Sequence, residues 1–371
     1  MALLRRTRVH RFNDFVRDRS NVRSILVLRN GLMGDVVFAT AVIRALQSSF
    51  PLAAVDAAVS ERSAALLNEF PFLRHVHGIP EGTSLAREAG FYASLRPFRY
   101  DIVVLLESNS HYALMSALVG GRFVVGFGSS LDMFLDVPVP WNNGVHAVLA
   151  ELESVRGWTD PAIEPAMMLE VSAQEADAAD RRLNELGIPP GRPVICIHPG
   201  CNEPDSPRQW SGERYAGLAS ALSGRHQAPV VFTGTGKDRS EIEGIRSLIN
   251  GQSVNLAGET SVREFMAILR RAAIVVGPDT GALHIAVALG TPVVMLMGFT
   301  DPADTGPFDA SGRSRIVRVG LPCSPCMPLD PKPLQWETCK LRRPVLCMDL
   351  LTVEAVLEAC SGILRQPAMK S

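Results

Sequence analysis

Short runs of β-branched and aliphatic residues alternate along this chain with longer stretches in which apolar positions recur every three or four residues. The first pattern reads as buried strand and the second as amphipathic helix. In the first half, strands are expected over 24–28, 53–59, 75–78, 101–106 and 122–127. Helices are expected over 36–49, 63–68, 112–119 and 146–156. An irregular stretch with Pro138, Pro140 and Trp141 interrupts the pattern before the last of these. The second half repeats the scheme, with strands at 194–197, 230–232, 254–255 and 273–276. Its helices fall at 173–186, 212–222, 240–248, 262–271 and in the stretch beyond residue 280 that stops at Gly290 before Thr291-Pro292. Ser261 and Glu264 form a capping-box pattern at the start of one of them. Strand and helix in strict alternation predict α/β architecture, with parallel sheets covered on both faces. A proline-rich stretch at 160–193 separates the halves, so a boundary is expected near residue 170, giving domains 1–170 and 171–371.

Glycine-bounded turns join several of these strands to the helices that follow. Residues 277–284 read Gly-Pro-Asp-Thr-Gly-Ala-Leu-His. They place Asp279, Thr280 and Gly281 where a strand hands over to a helix, at the carboxyl end of a sheet. Open α/β folds bind ligands there, and free helix N–H groups meet anions there. Helix capping by Asp or Thr accounts for the same residues. Near the start of the chain, Arg29-Asn30-Gly31-Leu32-Met33-Gly34-Asp35 makes a similar turn. Asp35 opens a helix, where a carboxylate is favoured by roughly 0.3–1 kcal/mol. The spacing is not Gly-x-Gly-x-x-Gly, which disfavours a nicotinamide-dependent dehydrogenase. Glu107, Ser108, Asn109 and His111 follow a strand end and so share a rim with Asp35. In the second half the loops near residues 200, 235, 259 and 279 share another rim. They bring glycine-rich backbone, hydroxyls, a carboxylate and cations, a set suited to a nucleotide diphosphate. His10, His75 and His77 have no evident partner and read as structural.

Composition narrows the picture. With 371 residues, 47% hydrophobic and 20% charged, the chain can build two ordinary cores. A net charge of −1, without basic–aromatic clusters, points away from nucleic acid. Arg5, Arg6, Arg8, Arg11, Arg17 and Arg19 crowd the N-terminus without an apolar signal-peptide core. The longest apolar stretch, 282–299, is broken by His284, Gly290 and Pro292. A cytoplasmic protein is therefore expected. Its basic N-terminal segment is read as a solvated tail or as a peripheral contact with anionic lipid on the inner membrane face. Four of the seven cysteines, Cys323, Cys326, Cys339 and Cys347, lie in a proline-rich segment at 321–348, spaced C-x2-C-x12-C-x7-C. Four thiolates suit a structural zinc or iron ion; unlinked thiols or a disulfide are the alternatives. Cys360 lies on the apolar face of the final helix and reads as core.

Taken together, residues 25–51 (ILVLRNGLMGDVVFATAVIRALQSSFP), 197–215 (IHPGCNEPDSPRQWSGERY) and 256–302 resemble glycosyltransferase family 9, the heptosyltransferases of lipopolysaccharide core synthesis. The resemblance spans roughly residues 22–360, specific in the order and spacing of its motifs. It implies two Rossmann-like domains facing across a cleft, the GT-B type, with the acceptor on the first and the nucleotide-sugar donor on the second. It implies inverting transfer of a heptose or related sugar from a nucleotide-diphosphate donor such as ADP-heptose, to a lipopolysaccharide-core or other glycan or glycolipid acceptor. No metal or other cofactor is needed for that chemistry. Asp35, beside Gly34, matches the family's catalytic base. Arg208 stands where a lysine more usually holds the donor phosphates. Asp279, Thr280, Gly281 and His284 match the diphosphate-binding turn. Glu259 matches the nucleoside loop, with Thr233, Gly234 and Lys237 on the nucleotide side. Cys201 and Asn202 depart from the small hydroxyl residues common there, which leaves donor identity open. An inactive nucleotide-sugar-binding scaffold of the same fold is the alternative reading.

Overall fold

The computed structural model describes residues 2–128, 132–200, 206–326 and 346–365. Contacts gather the chain into two compact units, Met1–Leu169 and Glu170–Ser371. Among the described residues, each is built on one six-stranded parallel sheet.

In the first unit the strands are β1 (Ser24–Arg29), β2 (Ala54–Ser60), β3 (His75–Ile79), β4 (Ile102–Leu105), β5 (Phe123–Phe127) and β6 (Val137–Val139), in the order β3-β2-β1-β4-β5-β6. β1 lies between β2 and β4, in register from Ser24 opposite Ala54 and from Ile25 opposite Ile102. Its Ile25, Leu26, Val27 and Leu28 are buried, as an all-aliphatic strand covered on both faces must be. The chain steps outward from β1 to β3, then returns to the other side of β1 as β4. The loops leaving β1 and β4 therefore diverge, which opens a crevice at the carboxyl edge.

Three elements of this unit depart from the sequence expectation. β6 contains Pro138 and was expected to be irregular; proline is tolerated because β6 is the sheet edge. The helix Leu85–Ser94, started by Ser84 accepting the Arg87 N–H, was not expected at all. The basic N-terminal segment is not a tail. It forms the helix Ala2–Arg17, and buries Phe12, Phe15 and Val16 on one face. Phe12 packs edge-on against Phe123 and Trp158, and the Arg122 guanidinium lies 4.2 Å above the Phe15 ring. The i, i+3, i+4 spacing of those apolar residues outweighs the surrounding arginines.

His75 and His77 are structural, but not without partners. Asp56, fully buried on β2, accepts hydrogen bonds from Arg74 at 2.7 and 3.0 Å, from the His75 N–H at 3.1 Å and from the Tyr100 hydroxyl at 2.6 Å. His77 reaches the same hydroxyl at 3.4 Å. Burial alone would raise the Asp56 carboxyl; the bonds from His77, Arg74 and Tyr100 hold it far below the usual range.

The second unit repeats the plan with β7 (Ile195–Ile197), β8 (Val230–Phe232), β9 (Ser253–Asn255), β10 (Ile274–Pro278), β11 (Val293–Leu296) and β12 (Arg315–Val317), in the order β12-β11-β10-β7-β8-β9. Here the direction reverses between β7 and β10. Gly277 sits at that junction, where a Cβ would collide with the His198 carbonyl oxygen. The core centres on Trp210, which donates to the Leu351 carbonyl at 3.0 Å and meets Tyr215 edge-on. The final helix Val353–Leu364 buries Cys360 against the helix Gly212–His226. No helix among the described residues is long and apolar enough to cross a membrane.

Candidate active site

At the β1–β4 crevice of the first unit lies an open pocket of about 550 Å³, within the range of small-molecule sites. Asp35 enters it from the first turn of the helix Met33–Ser49, with its side chain 36% exposed. Its Oδ2 accepts the Leu32 N–H at 2.8 Å. Gly31 makes this bend feasible, since a Cβ there would lie 2.6 Å from the Asp35 carboxylate. Asp35 therefore caps its helix while remaining on the pocket wall. Gly34 precedes it in the same turn.

Below the pocket lies Arg29, the last residue of β1. Its guanidinium is 3.3 Å from Asp35 Oδ1, 3.0 Å from Glu107 and 2.9 Å from Glu151. Burial would lower the Arg29 pKa, but the three carboxylates hold the charge and raise it. Burial raises Glu107, against the pull of Arg29. Burial also pushes Glu151 up to about 8, with Arg29 only partly opposing it. On the pocket wall Asn30 donates to the Tyr112 hydroxyl at 2.7 Å, and Arg62 is paired with Glu81. The lining is polar and rich in groups that bond hydroxyls.

In the second unit, the β7–β10 junction gathers Arg208, Asp279, Thr280, Gly281 and His284. The helix Gly281–Ala288 starts from Thr280, whose extended backbone points the first N–H groups outward from the turn. Arg208 donates to the Asp279 carbonyl at 3.1 Å, which holds a cation beside that helix end. Trp210, two residues on, is fully buried and anchors the loop. The Asp279 carboxylate itself is buried; it bonds His284 Nε2 at 3.0 Å and accepts the Thr305 hydroxyl at 2.8 Å. Burial would raise Asp279, but His284 and the charge of Arg208 bring it below its ordinary value. Asp279 and His284 thus fix the turn from within. The turn's backbone and Arg208 are left to meet a ligand. The Thr280 hydroxyl is buried and has no hydrogen-bond partner among the described residues.

The remaining nucleotide-side candidates lie along the same carboxyl edge. Thr233 follows β8 and bonds His198 at 3.1 Å; burial pushes that imidazole down to about 4, so it is neutral at pH 7. Gly234 follows, and Lys237 is exposed on the same loop. Gly258, at φ +73°, packs its Cα against Gly236 and brings the next loop alongside. Glu259 on that loop is held by Arg182 at 3.0 Å and Arg239 at 2.7 Å. Cys201 and Asn202 lie outside the described residues.

A model of glycosyltransferase family 9 (heptosyltransferase) matches residues 90–332, more than half of the chain. The chain belongs to that family. It is a glycosyltransferase of two Rossmann-like domains, the GT-B type. Among relatives of this heptosyltransferase-family enzyme, the Haemophilus influenzae lipopolysaccharide core heptosyltransferase OpsX is 23% identical, over 77% of this chain and 82% of its own length. Lipopolysaccharide heptosyltransferase 2 of Escherichia coli is 26% identical, over 80% of this chain and 88% of its own. Among solved structures, Escherichia coli ADP-heptose lps heptosyltransferase II superposes with a TM-score of 0.74 at 23% identity, covering 92% of this chain and 98% of that one. The iron-containing dodecameric glycosyltransferase TibC of enterotoxigenic Escherichia coli superposes at 0.58 with 16% identity, over 93% of this chain and 76% of that one.

Sequence reasoning missed Arg29 and Glu151. The signal for Arg29 was a charge closing an all-aliphatic strand. For Glu151 it was a carboxylate placed three residues after Val148 and four before Val155, on the buried face of its helix. In the late cysteine segment, Cys323 and Cys326 share one turn, with the Cys326 N–H bonded to the Phe299 carbonyl at 3.0 Å. Cys347 packs against Gly298, next to that carbonyl. Cys339 lies outside the described residues, and among those described no three His, Cys, Asp or Glu side chains are grouped to hold one ion.

Proposed function

We propose that this enzyme moves a heptose or closely related sugar from a nucleotide-diphosphate donor, ADP-heptose, onto a lipopolysaccharide-core or similar glycan acceptor, with inversion at the transferred carbon. Asp35 takes the proton from the acceptor hydroxyl as its oxygen attacks the anomeric carbon. The bond from that carbon to the donor phosphate breaks, and the nucleoside diphosphate leaves with the electron pair. The first unit is the acceptor side and the second the donor side. The observation that carries the reading is the pairing of features at the two strand-order reversals. One holds an accessible carboxylate on a polar pocket; the other holds a guanidinium beside a free helix end and an unpartnered buried hydroxyl.

In this reading Arg208, the Thr280 hydroxyl and the N–H groups at Gly281 stabilise the leaving diphosphate through charge-assisted bonds, each on the order of 1.5–3 kcal/mol. Asp279 and His284 keep the turn rigid. Thr233, Gly234, Lys237 and Glu259 bound the nucleoside. The names of the relatives support lipopolysaccharide as the acceptor class and ADP-heptose as the donor, and the reading sets the reaction in the cytoplasm at the inner membrane face. Purified protein incubated with a panel of nucleotide sugars and a heptose-deficient core acceptor tests this directly. ADP release dependent on ADP-heptose and acceptor is expected. Release from a different nucleotide sugar alone would overturn the donor assignment.

The late cysteines are proposed to hold one structural zinc or iron ion. Support comes from their spacing, from the convergence of Cys326 and Cys347 on the segment after β11, and from the iron named in the TibC structure. Such an ion would cross-link the segment and take no part in transfer.

A further inference from the structure

We propose that Arg29 is the positioning residue of the Asp35 carboxylate, locked for that task by Glu107 and Glu151; the inference rests on the reading of Asp35 as the base. Arg29 is buried at the end of β1, its side chain 13% exposed. Its Nη1 donates to the Glu107 carboxylate at 3.0 Å and to the Leu106 carbonyl at 3.3 Å. Its Nη2 lies 2.9 Å from Glu151 Oε1 and 3.3 Å from Asp35 Oδ1. The titratable groups facing it are thus Asp35 from the helix Met33–Ser49, Glu107 from the turn after β4 and Glu151 from the helix Ala147–Arg156.

A planar guanidinium hydrogen-bonded to Glu107 and the Leu106 carbonyl, with Glu151 2.9 Å from its other end, has little freedom to swivel. The nitrogen beside Asp35 is therefore stationary. Asp35 meets it with Oδ1 and meets the Leu32 N–H with Oδ2, so both oxygens are fixed and the plane of the carboxylate is set. An ionised carboxylate offers about four lone-pair positions; these two contacts leave room for an acceptor hydroxyl. Glu107 and Glu151 take the shorter contacts to the guanidinium, and Asp35 keeps the longest one, at 3.3 Å.

Arg29→Lys tests this, because an ammonium keeps the charge but not the fork. Turnover (kcat) is expected to fall by about ten- to a hundredfold with KM for donor and acceptor within about twofold. Asp35→Asn and the double variant Arg29→Lys/Asp35→Asn are measured alongside, and the double should be no slower than Asp35→Asn alone. Full turnover in Asp35→Asn would overturn the base assignment and this inference with it. An inactive Asp35→Asn beside an Arg29→Lys variant with unchanged turnover would overturn the positioning role alone. Should Arg29→Lys fail to fold by thermal melting, Arg29→Lys/Glu151→Gln, which removes the surplus buried carboxylate, takes its place. The same fall in turnover with unchanged KM is expected of it, and its absence would equally overturn the positioning role.

Discussion

At Asp35 the oxygen that reaches back to the Leu32 N–H caps a helix while the other faces Arg29 and the pocket, so one substitution can separate the two duties. Asn retains an acceptor for the N–H, and Asn is as good a cap as Asp. Asp35→Asn should therefore melt within a few degrees of the parent and bind donor normally, while turnover drops about a hundredfold or more. Wild-type ADP release from the folded variant would rule Asp35 out as the base. At Arg208 the fixed cation lies beside the helix end rather than on a carboxylate. Arg208→Ala should weaken ADP, carrying two phosphates, far more than adenosine in calorimetric titrations, because the lost partner is charged. Equal losses for both ligands would place Arg208 on the nucleoside instead.

The helix Ala147–Arg156 carries the largest local conflict in the first unit. It buries Glu151 completely, and neither carboxylate oxygen has a hydrogen bond of good geometry among the described residues despite the nearby Arg29. Burial raises the folded pKa from an ordinary 4.5 to about 8, so the folded state holds a proton that the unfolded chain gives up. Stability is then greatest below about pH 4.5 as far as this group is concerned, and is lost progressively as pH rises through about 8. Glu151→Gln removes that slope. Its melting temperature relative to the parent should rise between pH 5 and pH 8; parallel melting curves across that interval would show that Glu151 is ionised in the folded protein. At the other strand-order reversal, Asp279 is buried with partners on both oxygens, and there the analogous conflict is resolved.

Over the whole molecule, the same six-strand plan occurs twice among the described residues, and each unit gathers its candidate site residues where the strand order turns back. The late cysteine segment meets the second unit just after β11, where the Cys326 N–H bonds the Phe299 carbonyl. If it holds a metal, elemental analysis should find about one zinc or iron per chain, and chelation should lower the melting temperature more than it changes ADP affinity. Metal-free protein with an unaltered melting temperature would end that proposal. The sequence by itself determined the alternation of elements, the glycine-bounded turns, and the carboxyl-edge location of Asp35, Arg208 and the 279–281 turn. Those features depend on residues near one another in the chain: periodicity, caps and turn chemistry. Only the tertiary structure decided what the side chains do once they arrive. It turned Asp279 and His284 inward, gave Glu259 to Arg182 and Arg239, folded the basic N-terminus onto Phe123 and Trp158, and joined Arg29 to Glu107 and Glu151. Each of these pairings joins separate segments or depends on burial, which no local pattern records; the cost of leaving a buried charge unpaired then dictates which groups meet.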